Sequence, residues 1–132
     1  MERRKRIIID THIWLKWLEG TKLSSKHLKL LNDSGIQKCM SCFSLWEVSM
    51  LVAKKRITLN QETLAWIAQA LEHSQVELIP LTPGVAVLSC NLPGSFHGDP
   101  GDRIIVASSL KEKIPLMTED KQILNYLKKN GD

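Results

Sequence analysis

Short apolar runs of strand length alternate with segments of helical period along the chain. Residues 6–10 (Arg-Ile-Ile-Ile-Asp) read as a first strand, apolar on both faces and therefore buried at the centre of a sheet. Residues 11–18 read as a short helix stopped by Gly20, and residues 24–32 as an amphipathic helix with Ser24 as its N-cap and Gly35 as its stop. Residues 38–42 give a second strand, Ser44 caps a helix running to about residue 55, and residues 57–59 form a linker. Asn60 caps a helix to residue 73, where Leu64, Ile67, Ala68 and Leu71 recur at three- and four-residue spacing. Residues 76–81 give a third strand, and Thr82-Pro83 starts another helix with proline in its first turn. Residues 91–101, with two prolines and three glycines, form a loop. Residues 102–113 are a very apolar helix, residues 116–118 a fourth strand and residues 121–129 a closing helix. Alternation of this kind predicts βαβ units: an α/β fold with a central parallel sheet of four or five strands, flanked by helices on both faces.

With 132 residues, the chain predicts a single domain over residues 1–132, without repeats or an interdomain linker. A domain of this size buries enough surface to need no disulfide staple, and three cysteines are an odd number for a disulfide framework. Cys39 and Cys42 spell C-x-x-C, but no second pair follows at zinc spacing, so they read as buried structural thiols of a reducing, cytoplasmic setting. The basic start, Arg3 to Arg6, is followed by only three apolar residues before Asp10, too few for a signal peptide, and no run is long enough to span a membrane.

Acids stand where three of the strands run out and where the apolar helix opens. Asp10 follows Ile7-Ile8-Ile9, Glu47 lies just inside the helix after the second strand, Asp99 and Asp102 open the apolar helix, and Glu119-Asp120 follow the fourth strand. In a parallel sheet these carboxyl ends share one rim, where open α/β folds place their sites. Carboxylates gathered there repel by roughly 3 kcal/mol per pair at about 5 Å and an effective dielectric near 20. A divalent cation relieves that repulsion, and all-oxygen ligands point to Mg²⁺ or Mn²⁺ rather than zinc. Each acid also has a structural reading. Asp10 and Asp120 are good N-caps, Ser44-Leu45-Trp46-Glu47 spells a capping box, and the helix dipole favours Asp102. His12 is expected to point away from the rim, and His97, near Asp99, to touch substrate or remain inert.

Formal net charge is +4, and clustering the acids leaves the remaining surface more positive, which suits a polyanionic substrate. Basic groups placed to hold a phosphate backbone are Arg3, Arg4, Lys5, Arg6, Lys54, Lys55, Arg56 and Arg103; the competing reading is a solvated face, or for Arg103 a carboxylate partner. Trp14, Trp17 and Leu18 form a helical stripe whose default role is core packing.

Taken together, Asp10-Thr11, Ser44-x-x-Glu47, the stretch His97-Gly98-Asp99-Pro100-Gly101-Asp102-Arg103 and Thr118-Glu119-Asp120 resemble the motif series of PIN-domain ribonucleases, in order and over essentially the whole chain. Within them the likeness is to the VapC toxins of bacterial toxin–antitoxin pairs. The resemblance implies a Mg²⁺- or Mn²⁺-dependent endoribonuclease with Asp10, Glu47, Asp102 and Asp120 as catalytic, metal-binding acids. Thr11, Ser44, Asp99 and Thr118 would support them. It also implies an RNA substrate, a cognate antitoxin docking near Trp14, Trp17 and Leu18, and a homodimer. Gly101 departs from the subgroup, where a bulky apolar residue is common. Other readings fit less well. A haloacid-dehalogenase-type phosphatase wants an acid where His12 stands, a receiver-like domain wants paired acids after the first strand, and no P-loop is present. A catalytically silent PIN-like binding module for RNA or protein is the remaining alternative.

Overall fold

The computed structural model describes residues 4–130. Its sheet contains β1 (Lys5–Ile9), β2 (Ile36–Ser41), β3 (Glu77–Ile79) and β4 (Leu116–Met117), all parallel, in the order β3-β2-β1-β4. The helices are α1 (Thr11–Glu19), α2 (Ser25–Leu31), α3 (Phe43–Ala53), α4 (Thr63–Ser74), α5 (Pro83–Cys90), α6 (Pro100–Glu112) and α7 (Lys121–Asn130). None of the described helices is long and apolar enough to cross a membrane.

Strand geometry divides the core between the two faces. Successive residues of β1 point to opposite sides. Ile7 and Ile9 join Met40 in a cluster with Ile13, Trp14, Leu31, Val48 and Ile67, whereas Ile8 joins Cys39, Ile79 and Ile114 on the other side. A further cluster of Phe96, Val106, Ile123 and Tyr126 joins the loop before α6 to α6 and α7. Trp14 is fully buried, meets Trp66 edge-on at 5.7 Å and donates its indole N–H to Ser74 Oγ at 3.1 Å, tying α1 to α4. Gly20 ends α1 at φ 71°, a left-handed position where a side chain is costly.

Several boundaries differ from the sequence reading, each for a local reason. Ser44 does not cap α3: the helix enters through Cys42 without a side-chain cap, and Ser44 lies buried inside its first turn. Asn60 does not cap α4; the carboxylate of Glu62 does, accepting from the N–H groups of Leu64 and Ala65 at 3.0 Å each. Helix α6 begins at Pro100, two residues early, because Asp99 takes the cap by accepting from Asp102 N–H at 2.8 Å. Cys39 is buried, but Cys42 is only partly so and Cys90 is exposed; all three are free.

Candidate active site

The chain leaves β1 toward β2 and β3 on one side and returns to β4 on the other. The point at which strand order reverses therefore lies between β1 and β4. Asp10 stands at this point. Its N–H donates to Met117 O at 3.2 Å, and its side chain bridges the two strands' continuations. Oδ1 accepts from Ile13 N–H at 2.9 Å, capping α1, and Oδ2 accepts from the hydroxyl of Thr118. Asp10 is 7% exposed, and burial pushes its acid up; the Thr118 and Ile13 hydrogen bonds and nearby His12 oppose this, while Asp120 adds to it.

Glu47 reaches the same place from α3. Thr11 Oγ1 lies 2.6 Å from Glu47 Oε1 and 2.7 Å from Ser44 Oγ. One hydroxyl holds one proton, so with Thr11 donating to the carboxylate, Ser44 donates to Thr11. The Ser44-x-x-Glu47 spelling thus encodes a buried relay rather than a capping box.

Asp120 accepts from Ile123 N–H at 3.1 Å, capping α7, and its own N–H donates to Thr118 Oγ1 at 3.0 Å. Thr118 therefore links Asp10 to Asp120. From α6, Asp102 sits half-buried with its acid pushed up to about 6, first by burial and then by Asp99, Asp120, Glu47 and Asp10. Acids remote in sequence affect one another's protonation because they share one cleft.

That cleft, about 460 Å³, is lined by Asp10, Glu47, Asp99, Asp102, Glu119 and Asp120 together with Thr11, His12 and Lys16, and has Ile105 and Ile123 in its walls. His12 lies on its rim, contrary to the sequence expectation, because the first turn of α1 carries it back over Asp10. His97 does not line the cleft; its ring lies 3.2 Å from Ser95 Oγ beside a separate hollow. Sequence reasoning missed Lys16, which pairs with Glu119 at 2.6 Å and so, among the described residues, leaves Asp120 as the acid of that pair without a cationic partner. The available signal was that Lys16 is the only Lys, Arg, Asp or Glu between Thr11 and Leu18.

The basic residues singled out from sequence lie elsewhere. Arg103 points its guanidinium at Phe96 O (2.9 Å) and Ser89 O (3.3 Å), fastening the preceding loop to α6 rather than pairing with a carboxylate. Lys54, Lys55 and Arg56 are exposed past the far end of α3, roughly 10 Å along its axis from Glu47. Arg4 precedes β1 and Lys5 and Arg6 begin it, at the end of the strand opposite the cleft; Arg4 donates to Ser34 O and Gln37, and Arg6 pairs with Glu77 at 3.2 Å. Arg3 lies outside the described residues. In the Trp14/Trp17/Leu18 stripe, Trp14 is core and Trp17 packs against it, while Leu18 turns with Trp66 into a surface groove between α1, the 57–62 segment and α4.

The donor set suits a hard divalent ion. All the acids offer oxygen, and Asp102 registers their mutual repulsion. Among the described residues no three His, Cys, Asp or Glu side chains form a ready-made cage.

A parallel α/β sheet with carboxylates converging on its switch point defines an acid-cleft α/β domain. More narrowly, the chain belongs to the PIN domain family, whose model matches residues 7–129. It is 28% identical over 120 residues to Ribonuclease VapC22 of Mycobacterium tuberculosis (strain ATCC 25618 / H37Rv), covering 91% of each chain. Among solved structures it resembles VapBC2 from Rickettsia felis bound to a DNA fragment from their promoter, with TM-score 0.66, 17% identity and coverage of 95% of this chain and 92% of that one. It also resembles FitAcB from Neisseria gonorrhoeae, with TM-score 0.61, 17% identity and coverage of 90% and 91%. A toxin–antitoxin complex from Klebsiella pneumoniae gives TM-score 0.59 at 22% identity, covering 86% of each chain. At these identities the structural likeness is one of fold. The family drawn from the motif series is thereby established.

Proposed function

We propose that this chain is a divalent-metal-dependent endoribonuclease and the toxin of a type II toxin–antitoxin pair, with Asp10, Glu47, Asp102 and Asp120 as its catalytic acids. The observation that carries the reading is the convergence of six of the chain's fourteen acids on one cleft at the switch point, with the Asp102 acid pushed up to about 6 by burial first and by its acidic neighbours second. A cleft so negative does not suit a polyanion unless a cation intervenes. The only lysine lining it, Lys16, is already paired with Glu119. Mg²⁺ or Mn²⁺ held by these four acids would supply charge neutralisation at the scissile phosphate and a water of lowered pKa. The chain's own residues prepare that chemistry. Thr118 orients Asp10, Thr11 and Ser44 fix Glu47, and Asp99 anchors the backbone at Asp102. No serine, cysteine or histidine lines the cleft in a nucleophile–base pair.

The relatives support the biological setting: Ribonuclease VapC22 by its name, and the toxin–antitoxin complexes by their assembly. An antitoxin segment has the groove beside Leu18 and Trp66 available to it. A homodimer and a cytoplasmic site of action belong to the same proposal. Because all four acids are present and gathered, a silent module is disfavoured. The test is RNA cleavage with Mg²⁺ or Mn²⁺ by wild type, Asp10→Asn and Asp102→Asn. Loss in both variants and in EDTA is expected; equal cleavage by all three, or cleavage that survives EDTA, contradicts the reading.

A further inference from the structure

Beside the acid cleft lies a second hollow of about 200 Å³, bounded by Phe43, Trp46, Met50, Pro100 and Gly101 and sharing the walls Glu47 and Asp99 with the cleft. Trp46 is 57% exposed and its ring meets Phe43 at 5.1 Å between centroids, tilted by 35°. Gly101 lets this happen. A Cβ there would stand 2.7 Å from Phe43 Cε1 and 3.2 Å from its Cδ1, so any side chain would drive the Phe43 ring out of its place. A lone exposed apolar residue needs no explanation. This one is part of an aromatic wall that continues directly into the catalytic cleft.

We propose that Trp46, Phe43 and the space left by Gly101 form a base pocket that stacks one nucleobase next to the scissile phosphate. The inference rests on the nuclease reading for its substrate, and it goes further by naming a determinant of nucleotide choice. An aromatic face recognises any base by stacking. The rim adds selection, because Glu47 and Asp99 present carboxylate oxygens, which accept from exocyclic amino groups. Adenine, guanine and cytosine carry such amino groups; uracil offers the carboxylates only its single N3–H. Trp46 is thus a specificity-determining residue and not one that performs the chemistry.

The experiment compares wild type, Trp46→Ala and Trp46→Phe. It measures anisotropy of a fluorescein-labelled single-stranded RNA in Mg²⁺ with Asp10→Asn added to each protein so that nothing is cut, then steady-state cleavage in Mg²⁺ without that added change, then sedimentation velocity. Trp46→Ala is expected to weaken RNA binding and raise KM by about 10-fold, within the range for loss of one base–aromatic stack, with kcat nearly unchanged. Cleavage of a sequence-randomised RNA by Trp46→Ala should lose preference at one position beside the cut. Trp46→Phe should recover most of the affinity. Equal binding by all three proteins, equal loss in both variants, or a change of oligomeric state in Trp46→Ala would overturn the pocket; the last would make this wall a contact between two copies. Failure of the nuclease reading has a different signature. A wild type that binds RNA through Trp46 yet cuts none in Mg²⁺ supports the pocket and removes the enzyme.

Discussion

The hydroxyl of Thr11 lies 2.6 Å from Oε1 of Glu47, joining the first residue of α1 to the helix that follows β2. It directs a half-buried carboxylate that α3 alone would leave free to rotate. Thr11→Val keeps the shape and removes the donor. Outer-shell partners of this kind typically contribute about 10–100-fold to activity or metal affinity. A loss in that range is expected, with the Mg²⁺ concentration for half-maximal cleavage raised, and Thr11→Ser should retain most of the activity. Metal titrations of the cleavage rate make the comparison.

Asp102 gives a pH dependence of defined sign. Its acid rises from an ordinary 3.8 to about 6 in the folded protein, chiefly through burial and then through Asp99. Between those values the folded chain keeps a proton that the unfolded chain releases, so the metal-free protein loses stability as pH rises through that window. Asp102→Asn removes the titration. In EDTA at pH 7 it should be more stable than wild type by about 1 kcal/mol, the full shift being discounted because the group is half-exposed and screened. The difference should vanish near pH 4. Urea midpoints at the two pH values measure it, and a variant less stable at pH 7 would speak against carboxylate crowding.

Arg103 is expected to matter for stability and not for RNA. Its two hydrogen bonds hold Phe96 O and Ser89 O. Arg103→Met should cost about 2 kcal/mol, the scale of charged hydrogen bonds to partly buried carbonyls. The slope of log affinity for RNA against log salt should stay as in wild type. A slope reduced by about one, with unchanged urea midpoint, would make Arg103 a phosphate ligand instead.

Antitoxin docking can be separated from catalysis at the groove. Gln69 is exposed on α4 and lines that groove opposite Leu18, remote in sequence from every cleft acid. Gln69→Arg should weaken the complex with the purified antitoxin by about tenfold or more, a 1.4 kcal/mol effect. Cleavage by the free toxin should be unchanged. Calorimetric titration measures the first quantity, and unaltered affinity would move the docking site elsewhere.

The alternation of strands and helices was readable because both faces of β1 are apolar and because Thr82-Pro83 and Ser24 carry plain capping chemistry. The rim positions of Asp10, Glu47 and Asp120 were readable because each stands just after a parallel strand, whereas Asp102 follows no strand and reaches the cleft from the first turn of α6. What escaped depends on tertiary partners. Ser44 has the spelling of a cap, yet its hydroxyl is buried against Thr11, thirty-three residues away. The role of Arg103 depends on carbonyls supplied by Ser89 and Phe96, and that of Lys16 on Glu119 across the sheet edge. Local pattern names a residue's capacity; only the fold selects its partner.

The central claim is that Asp10, Glu47, Asp102 and Asp120 together take a hard divalent ion. Crystals of the wild-type protein soaked in Mn²⁺, measured for anomalous scattering, test it most directly. The expected result is a peak inside the cleft, with at least one of these carboxylates bound directly at about 2.1–2.3 Å and the others reaching the ion directly or through water. A cleft without a peak, in protein that cleaves RNA in the same Mn²⁺ buffer, would contradict the account.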